Sequence, residues 1–77
     1  MTDETIEIDT KGLYCPEPVM MLHAAVRKAN SGDLIRVIAT DPSTTRDIPK
    51  FCQFLGHTLE RQEQRGEGEY IFEVRKK

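Results

Sequence analysis

"LIRVIAT", residues 34–40, is the stretch on which the fold turns. It is short and rich in β-branched side chains, so it reads as the central and most buried strand of a sheet. Upstream, "TIEID" at residues 5–9 sets Ile6 and Ile8 two positions apart, the period of a half-buried strand. Lys11-Gly12 breaks that alternation. From Pro16 the apolar positions Val19, Leu22, Val26 and Ala29 recur at helical spacing, with Ala25 widening the stripe. This helix is expected to end near Asn30-Ser31-Gly32, with the glycine in a left-handed cap. Strand, helix and strand in succession form a β-α-β unit, which predicts parallel strands and a right-handed crossover.

A second helix lies within "DPSTTRDIPKFCQFLG", residues 41–56. Proline is tolerated in the first turn, where the N–H groups have no intrahelical partner, so Pro49 predicts a start between Thr44 and Asp47. Asp41-Pro42 is then a turn, the helix buries Ile48, Phe51, Cys52 and Leu55, and Gly56 ends it. "TLERQEQR", residues 58–65, is polar enough for an outer strand protected by charge. Gly66-Glu67-Gly68 turns the chain into "EYIFEVR", where Tyr70, Phe72 and Val74 share a face. The predicted fold is α+β: a two-layer α/β sandwich in the order β-α-β-α-β-β, with a mixed four-stranded sheet and two helices on one face.

A 77-residue chain has room for one domain, read as spanning 1–77, and buries about 60% of its unfolded surface. With 38% apolar and 31% charged residues it suits a folded domain better than a disordered one. The net charge of −2 argues against a protein that grips nucleic acid through many phosphates. Arg27-Lys28 and Arg75-Lys76-Lys77 are short basic runs that read as solvated surface. The acidic N-terminus has no apolar signal core, and no run approaches the roughly 20 apolar residues of a membrane span. A cytoplasmic protein without membrane contact is expected, with Cys15 and Cys52 as free thiols in that reducing compartment. No metal is expected either, because Cys15, Cys52, His23 and His57 lack the paired spacing of a zinc site.

The chemistry points to "GLYCPEPVMM", residues 12–21. A residue before proline avoids helical angles, so Cys15 is expected as the N-cap with Pro16 at the first helical position. Pro18 has no N–H, which leaves the Glu17 N–H as the donor to the sulfur. The helix dipole favours a thiolate there, the Glu17 carboxylate opposes it, and the two leave the sign of the pKa shift open. Pro18 also stands where a Cys-x-x-C oxidoreductase has its second thiol, so Cys15 has no partner to resolve a mixed disulfide. A lone thiol can instead hold one sulfur as a persulfide until another thiol takes it. Cys52, beside Phe51 and Leu55, reads as core. His23 lies roughly 10 Å along the helix from its start, too far for a direct Cys-His pair. Of Met20 and Met21, at least one points away from the core and offers an adaptable docking surface.

With the Cys-Pro-x-Pro motif at 15–18 and the Asp-Pro-x-Thr-Thr-Arg-Asp-Ile-Pro run at 41–49, nearly the whole chain resembles the TusA (SirA-like) sulfur-carrier family. The resemblance is to its TusA branch more than to its distant members. It implies the same sandwich, and it implies that Cys15 is the catalytic residue, accepting sulfur as a covalent persulfide with no other cofactor. The implied donor is an IscS-like cysteine desulfurase. The implied acceptor is a TusBCD-like complex with TusE, serving 2-thiolation of the tRNA wobble uridine, so that tRNA is met only indirectly. Glu17, Met20, His23, Arg27, Asp41 and Phe54 match positions that contact partners in the family, while Pro16, Pro18, Arg46 and Asp47 belong to its motifs. Arginine often stands at the position of His23, so an ionic contact there becomes weaker or pH-dependent. A monomer is expected.

Other readings remain open at this point. The same carrier chemistry could serve molybdenum cofactor biosynthesis or sulfur oxidation. A non-catalytic interaction or regulatory module would use Cys15 only as a helix cap, and a thiol redox protein would need a Cys15–Cys52 disulfide.

Overall fold

The computed structural model describes residues 5–77; residues 1–4, part of the acidic N-terminus and of the 1–77 domain span expected above, lie outside the described residues. The residues of "LIRVIAT" form β2 (Leu34–Ala39), an interior strand in a sheet ordered β1-β2-β4-β3. Its neighbours are β1 (Thr5–Thr10) and β4 (Glu69–Arg75), with β3 (Thr58–Arg65) on the far edge. β1 and β2 are parallel, in register from Thr5↔Leu34 to Thr10↔Ala39, while β2–β4 and β3–β4 are antiparallel. The sheet is therefore mixed. A register shift between Leu59 and Arg61 leaves Glu60 as an extra residue in β3, a bulge on the edge strand.

α1 (Glu17–Lys28) and α2 (Thr44–Leu55) cover one face. Leu22, Val26 and Ala29 from the α1 segment and Ile48 and Cys52 from α2 join Ile8, Ile35, Val37, Ala39, Phe72 and Val74 in a single core. Full burial of side chains such as Phe72 and Leu22 contributes about 1.5–3 kcal/mol each. On the other face, the alternate positions of the strands carry a row of charges directly opposite one another. Arg36 reaches Glu7 at 3.6 Å and Glu73 at 3.1 Å, Glu73 reaches Arg61 at 3.8 Å, and Arg61 also pairs with Glu63. Ile71 is buried on this side as well, which the alternation of Tyr70, Phe72 and Val74 did not reveal.

Three local features differ from expectation. α1 ends at Lys28, because Ala29 is buried and turns to extended backbone; Lys76 Nζ satisfies the Ala29 carbonyl at 2.7 Å. Gly32 is left-handed, at φ +91°, but in the later turn where its N–H donates to the Lys76 carbonyl. Pro49 sits one turn deeper than the first turn of α2, at its sixth residue. The Thr45 carbonyl that a residue-49 N–H would have reached is approached instead by Gln62 Nε2 of β3, at 3.5 Å. Phe51 and Leu55 are half-buried, not core.

The parallel pair fixes where the loops go. Both helices start from the carboxyl ends of β1 and β2, so the Lys11–Pro16 and Thr40–Ser43 connections emerge side by side. Two hydrogen bonds tie these ends together: Thr10 Oγ1–H to the Ile38 carbonyl at 2.7 Å and the Gly12 N–H to Thr40 Oγ1 at 3.0 Å. No helix among the described residues is long and apolar enough to cross a membrane.

Gly56 closes α2 at φ +81°, and a Cβ there would lie 3.2 Å from Lys77 Cδ. Gly56→Ala is expected to lower stability by roughly 1–2 kcal/mol, the cost of left-handed backbone for a residue with a Cβ. Urea unfolding checks this, and an unchanged midpoint would refute it.

Candidate functional site

Where the two connections meet, the chain turns at Tyr14-Cys15-Pro16-Glu17. The Glu17 N–H donates to the Tyr14 carbonyl at 2.9 Å and the Met20 N–H to the Pro16 carbonyl at 3.0 Å. The Cys15–Pro16 peptide is cis. Pro16, not Cys15, is the N-cap of α1, and no side chain caps it. The expected bond from the Glu17 N–H to sulfur is absent because the Tyr14 carbonyl has taken that donor. Pro18 is fully buried and anchors the start of the helix to the core.

Asp41 holds the turn in place. It is only 8% exposed, and its Oδ2 accepts the Cys15 N–H at 2.7 Å and the Ser43 Oγ–H at 2.7 Å. Its Oδ1 accepts the Ser43 N–H at 3.1 Å. The two bonds from Ser43, then that from Cys15, hold this carboxyl below its ordinary range. The Asp41 carbonyl meanwhile receives the Thr44 N–H and hydroxyl, which starts α2. One residue thus begins the second helix and fixes the backbone of the cysteine.

The sulfur itself is exposed, and Sγ–H donates to Asp47 Oδ2 at 3.2 Å. Asp47 raises the Cys15 pKa above the ordinary thiol value, first through this hydrogen bond and, with Asp41, through its negative charge; partial desolvation adds to the rise. The shift left open by the dipole and Glu17 is therefore upward, and the carboxylates responsible come from the other helix region. Cys52 is 3% exposed, and burial pushes its thiol up to about 11. It belongs to the core, as expected.

A groove opens beside the sulfur between the helices, walled by Pro16 and Val19 on one side and by Asp47, Lys50, Phe51 and Phe54 on the other. A second hollow shares Val19 and Phe51 with it and is lined by Met20, His23 and Arg27. Phe54 is 88% exposed and Met20 62%, so the pair bracket an apolar surface next to the thiol; Tyr14 is exposed as well.

Among the expected partner-contacting residues, the structure brings Met20, His23, Arg27 and Phe54 around these hollows. Glu17 is exposed at the start of α1, outside both. Asp41 is committed inward to Cys15 and Ser43. Arg46 is exposed and reaches Asp47 Oδ1 through Nε at 3.4 Å. Ser43, Lys50 and the sulfur-binding role of Asp47 escaped the sequence. The two-residue spacing of Asp41 and Ser43 is an Asx-turn signal that could have revealed the first. Asp47 is 32 positions from Cys15 and carries no such local sign. Among the described residues no cluster of three or more His, Cys, Asp or Glu could hold a metal.

An exposed single thiol with a carboxylate beside it, and its only fellow cysteine buried, defines a carrier-type thiol domain and not a dithiol oxidoreductase. The family model described as "Sulfurtransferase TusA" matches residues 6–76, and the chain belongs to that family. It is 58% identical to the "Sulfur carrier protein TusA" of Pseudomonas putida (strain W619), with 100% of this chain and 98% of the relative covered. The protein of the same description from Pseudomonas syringae pv. syringae (strain B728a) is 62% identical over 92% of this chain and 83% of its own. The fold matches the crystal structure of a SirA-like protein from Desulfitobacterium hafniense. The TM-score is 0.82 at 20% identity, covering 91% of this chain and 95% of the other. Sulfur carriage is the function these relationships support.

Two outcomes follow from the electrostatics. A raised thiol pKa keeps Cys15 protonated near neutrality, so its alkylation by iodoacetamide should be slow there and rise with pH above the ordinary thiol range. Asp47→Asn should move that profile to lower pH, and Cys52 should react only on unfolding; mass mapping of the modified thiols reads both. Asp41 has the opposite sign. Its lowered pKa contributes stability above the unfolded value of about 3.9 that is lost as pH falls through the folded one. The stability difference between wild type and Asp41→Asn should accordingly be largest near neutrality and shrink in acid, as urea titrations at the two pH values would show.

Proposed function

We propose that Cys15 accepts a sulfane sulfur from an IscS-like cysteine desulfurase, holds it as a persulfide and passes it to a TusBCD-like complex and TusE. The sulfur is destined for 2-thiolation of the tRNA wobble uridine. The observation that carries the reading is the contrast between the two cysteines: Cys15 is exposed on a groove and Cys52 is buried in the core. Transfer of a neutral sulfur atom needs one accessible thiol on each protein, whereas dithiol redox chemistry needs two on this one.

Partner proteins dock over the apolar rim of Met20 and Phe54, with Arg27 and Glu17 adding charge and His23 a polar edge around it. Asp41 serves the same contact from beneath, by fixing the Cys15 backbone. The protein works as a cytoplasmic monomer whose only carried group is the covalent sulfur, and tRNA is met by later members of the relay. A reading of Cys15 as a mere helix cap finds no support, since its sulfur makes no capping bond.

The test is intact-mass spectrometry after incubation with a cysteine desulfurase, pyridoxal phosphate and L-cysteine. Wild type and Cys52→Ser should each gain about 32 Da, reversibly with reductant, as a persulfide requires. Cys15→Ser should gain nothing. An adduct that survives in Cys15→Ser, or none in wild type, would overturn the proposal.

A further inference from the structure

A thiol that becomes a persulfide must lose its hydrogen, because Sγ then holds two covalent bonds, to Cβ and to the outer sulfur. In this structure the hydrogen already has an acceptor: Sγ–H points to Asp47 Oδ2 at 3.2 Å. The other carboxylate of the site is occupied, since both oxygens of Asp41 accept bonds from Cys15 or Ser43. The histidines are elsewhere, each packed against the Phe51 ring, at centroid distances of 5.7 and 5.9 Å. Arg46 Nε meets Asp47 on Oδ1, which leaves Oδ2 to the sulfur. The Asp47 side chain is 21% exposed, so water only partly screens it.

Resting on the carrier reading, we infer that Asp47 is a catalytic residue of sulfur transfer, taking the Cys15 proton as sulfur arrives and delivering a proton to Sγ as sulfur leaves. In loading, Sγ attacks the outer sulfur of a donor R–S–SH. The Sγ–S bond forms, the donor S–S bond breaks, and its electron pair goes to the donor sulfur. Asp47 removes the Sγ proton and passes it to that sulfur, so that Cys15–SH and R–S–SH become Cys15–S–SH and R–SH. The sulfane sulfur keeps its oxidation state and no further reactant is needed. In unloading, Asp47 takes the proton of an acceptor thiol R′–SH, whose sulfur attacks the outer sulfur. Sγ departs with the electron pair and receives that proton from Asp47, so that Cys15–S–SH and R′–SH become Cys15–SH and R′–S–SH.

This role separates two reactivities that a merely restraining contact would link. Iodoacetamide traps whatever thiolate is present, so removing the carboxylate speeds alkylation near neutral pH. Sulfur transfer loses its proton acceptor and slows. The experiment mixes sulfur-loaded cysteine desulfurase with a saturating excess of carrier and follows one turnover by intact mass, so that docking affinity does not enter the rate. Asp47→Asn should transfer roughly a hundredfold or more slowly, the lower end of general acid–base effects, while its alkylation accelerates. Asp47→Glu should recover part of the transfer rate. Transfer that stays level or speeds up in Asp47→Asn would overturn the inference and leave the carrier reading standing. Slow transfer in both variants with alkylation unchanged would also overturn it, by marking a structural effect. A wild type that takes no sulfur would remove the carrier reading and this inference together.

Discussion

The parallel pairing of β1 with β2 is the constraint on which the rest of the molecule depends. Parallel strands cannot be joined by a tight turn, so α1 must cross over between them, and each strand then delivers a helix from the same end. Two loops that are distant in sequence come to lie side by side at the carboxyl ends of the strands, where open sheets containing parallel strands commonly place their chemistry. Cys15 is on one loop and Asp41 on the other. The bond between them, from the Cys15 N–H to Asp41 Oδ2, spans 26 positions of sequence and exists only because the register brings Thr10 opposite Ala39.

The same geometry sets the charge around the sulfur. A cysteine near a helix start is usually discussed as a candidate for a low pKa, through the dipole and the free amides of the first turn. Here two of those amides are not available to sulfur: the Glu17 N–H serves the Tyr14 carbonyl, and Pro18 has none. What faces the thiol is carboxylate, chiefly Asp47. The thiol is thus accessible while the neighbouring carboxylates hold its pKa above the ordinary value, so that exposure and acidity are set by separate groups.

Much of the fold was legible in the sequence because its signals are local. Alternation in "TIEID", β-branched density in "LIRVIAT" and helical spacing from Val19 to Ala29 each follow from residues a few positions apart. The end of α2 at Gly56 was legible for the same reason, since one residue type carries the left-handed cap. The misplaced details depend on distant partners. Lys76 takes the Ala29 carbonyl and Gln62 approaches that of Thr45, contacts that no window around residue 29 or 45 contains. The candidate site divides in the same way. Cys15 was visible from its motif, and Cys52 from its apolar neighbours. The service of Asp41 and Asp47 to the cysteine was not, because it is a product of strand register and not of spacing.

The row of alternating charges on the uncovered face of the sheet bears on which side of the molecule the proposed relay would use. Glu7, Arg36, Glu73, Arg61 and Glu63 form one chain of ion pairs across all four strands. A protein arriving on that side would have to give up existing pairs to bind. The molecule is in this sense directional. In the proposed relay, this paired back leaves the helical front, where Met20 and Phe54 are exposed beside the thiol, as the docking side.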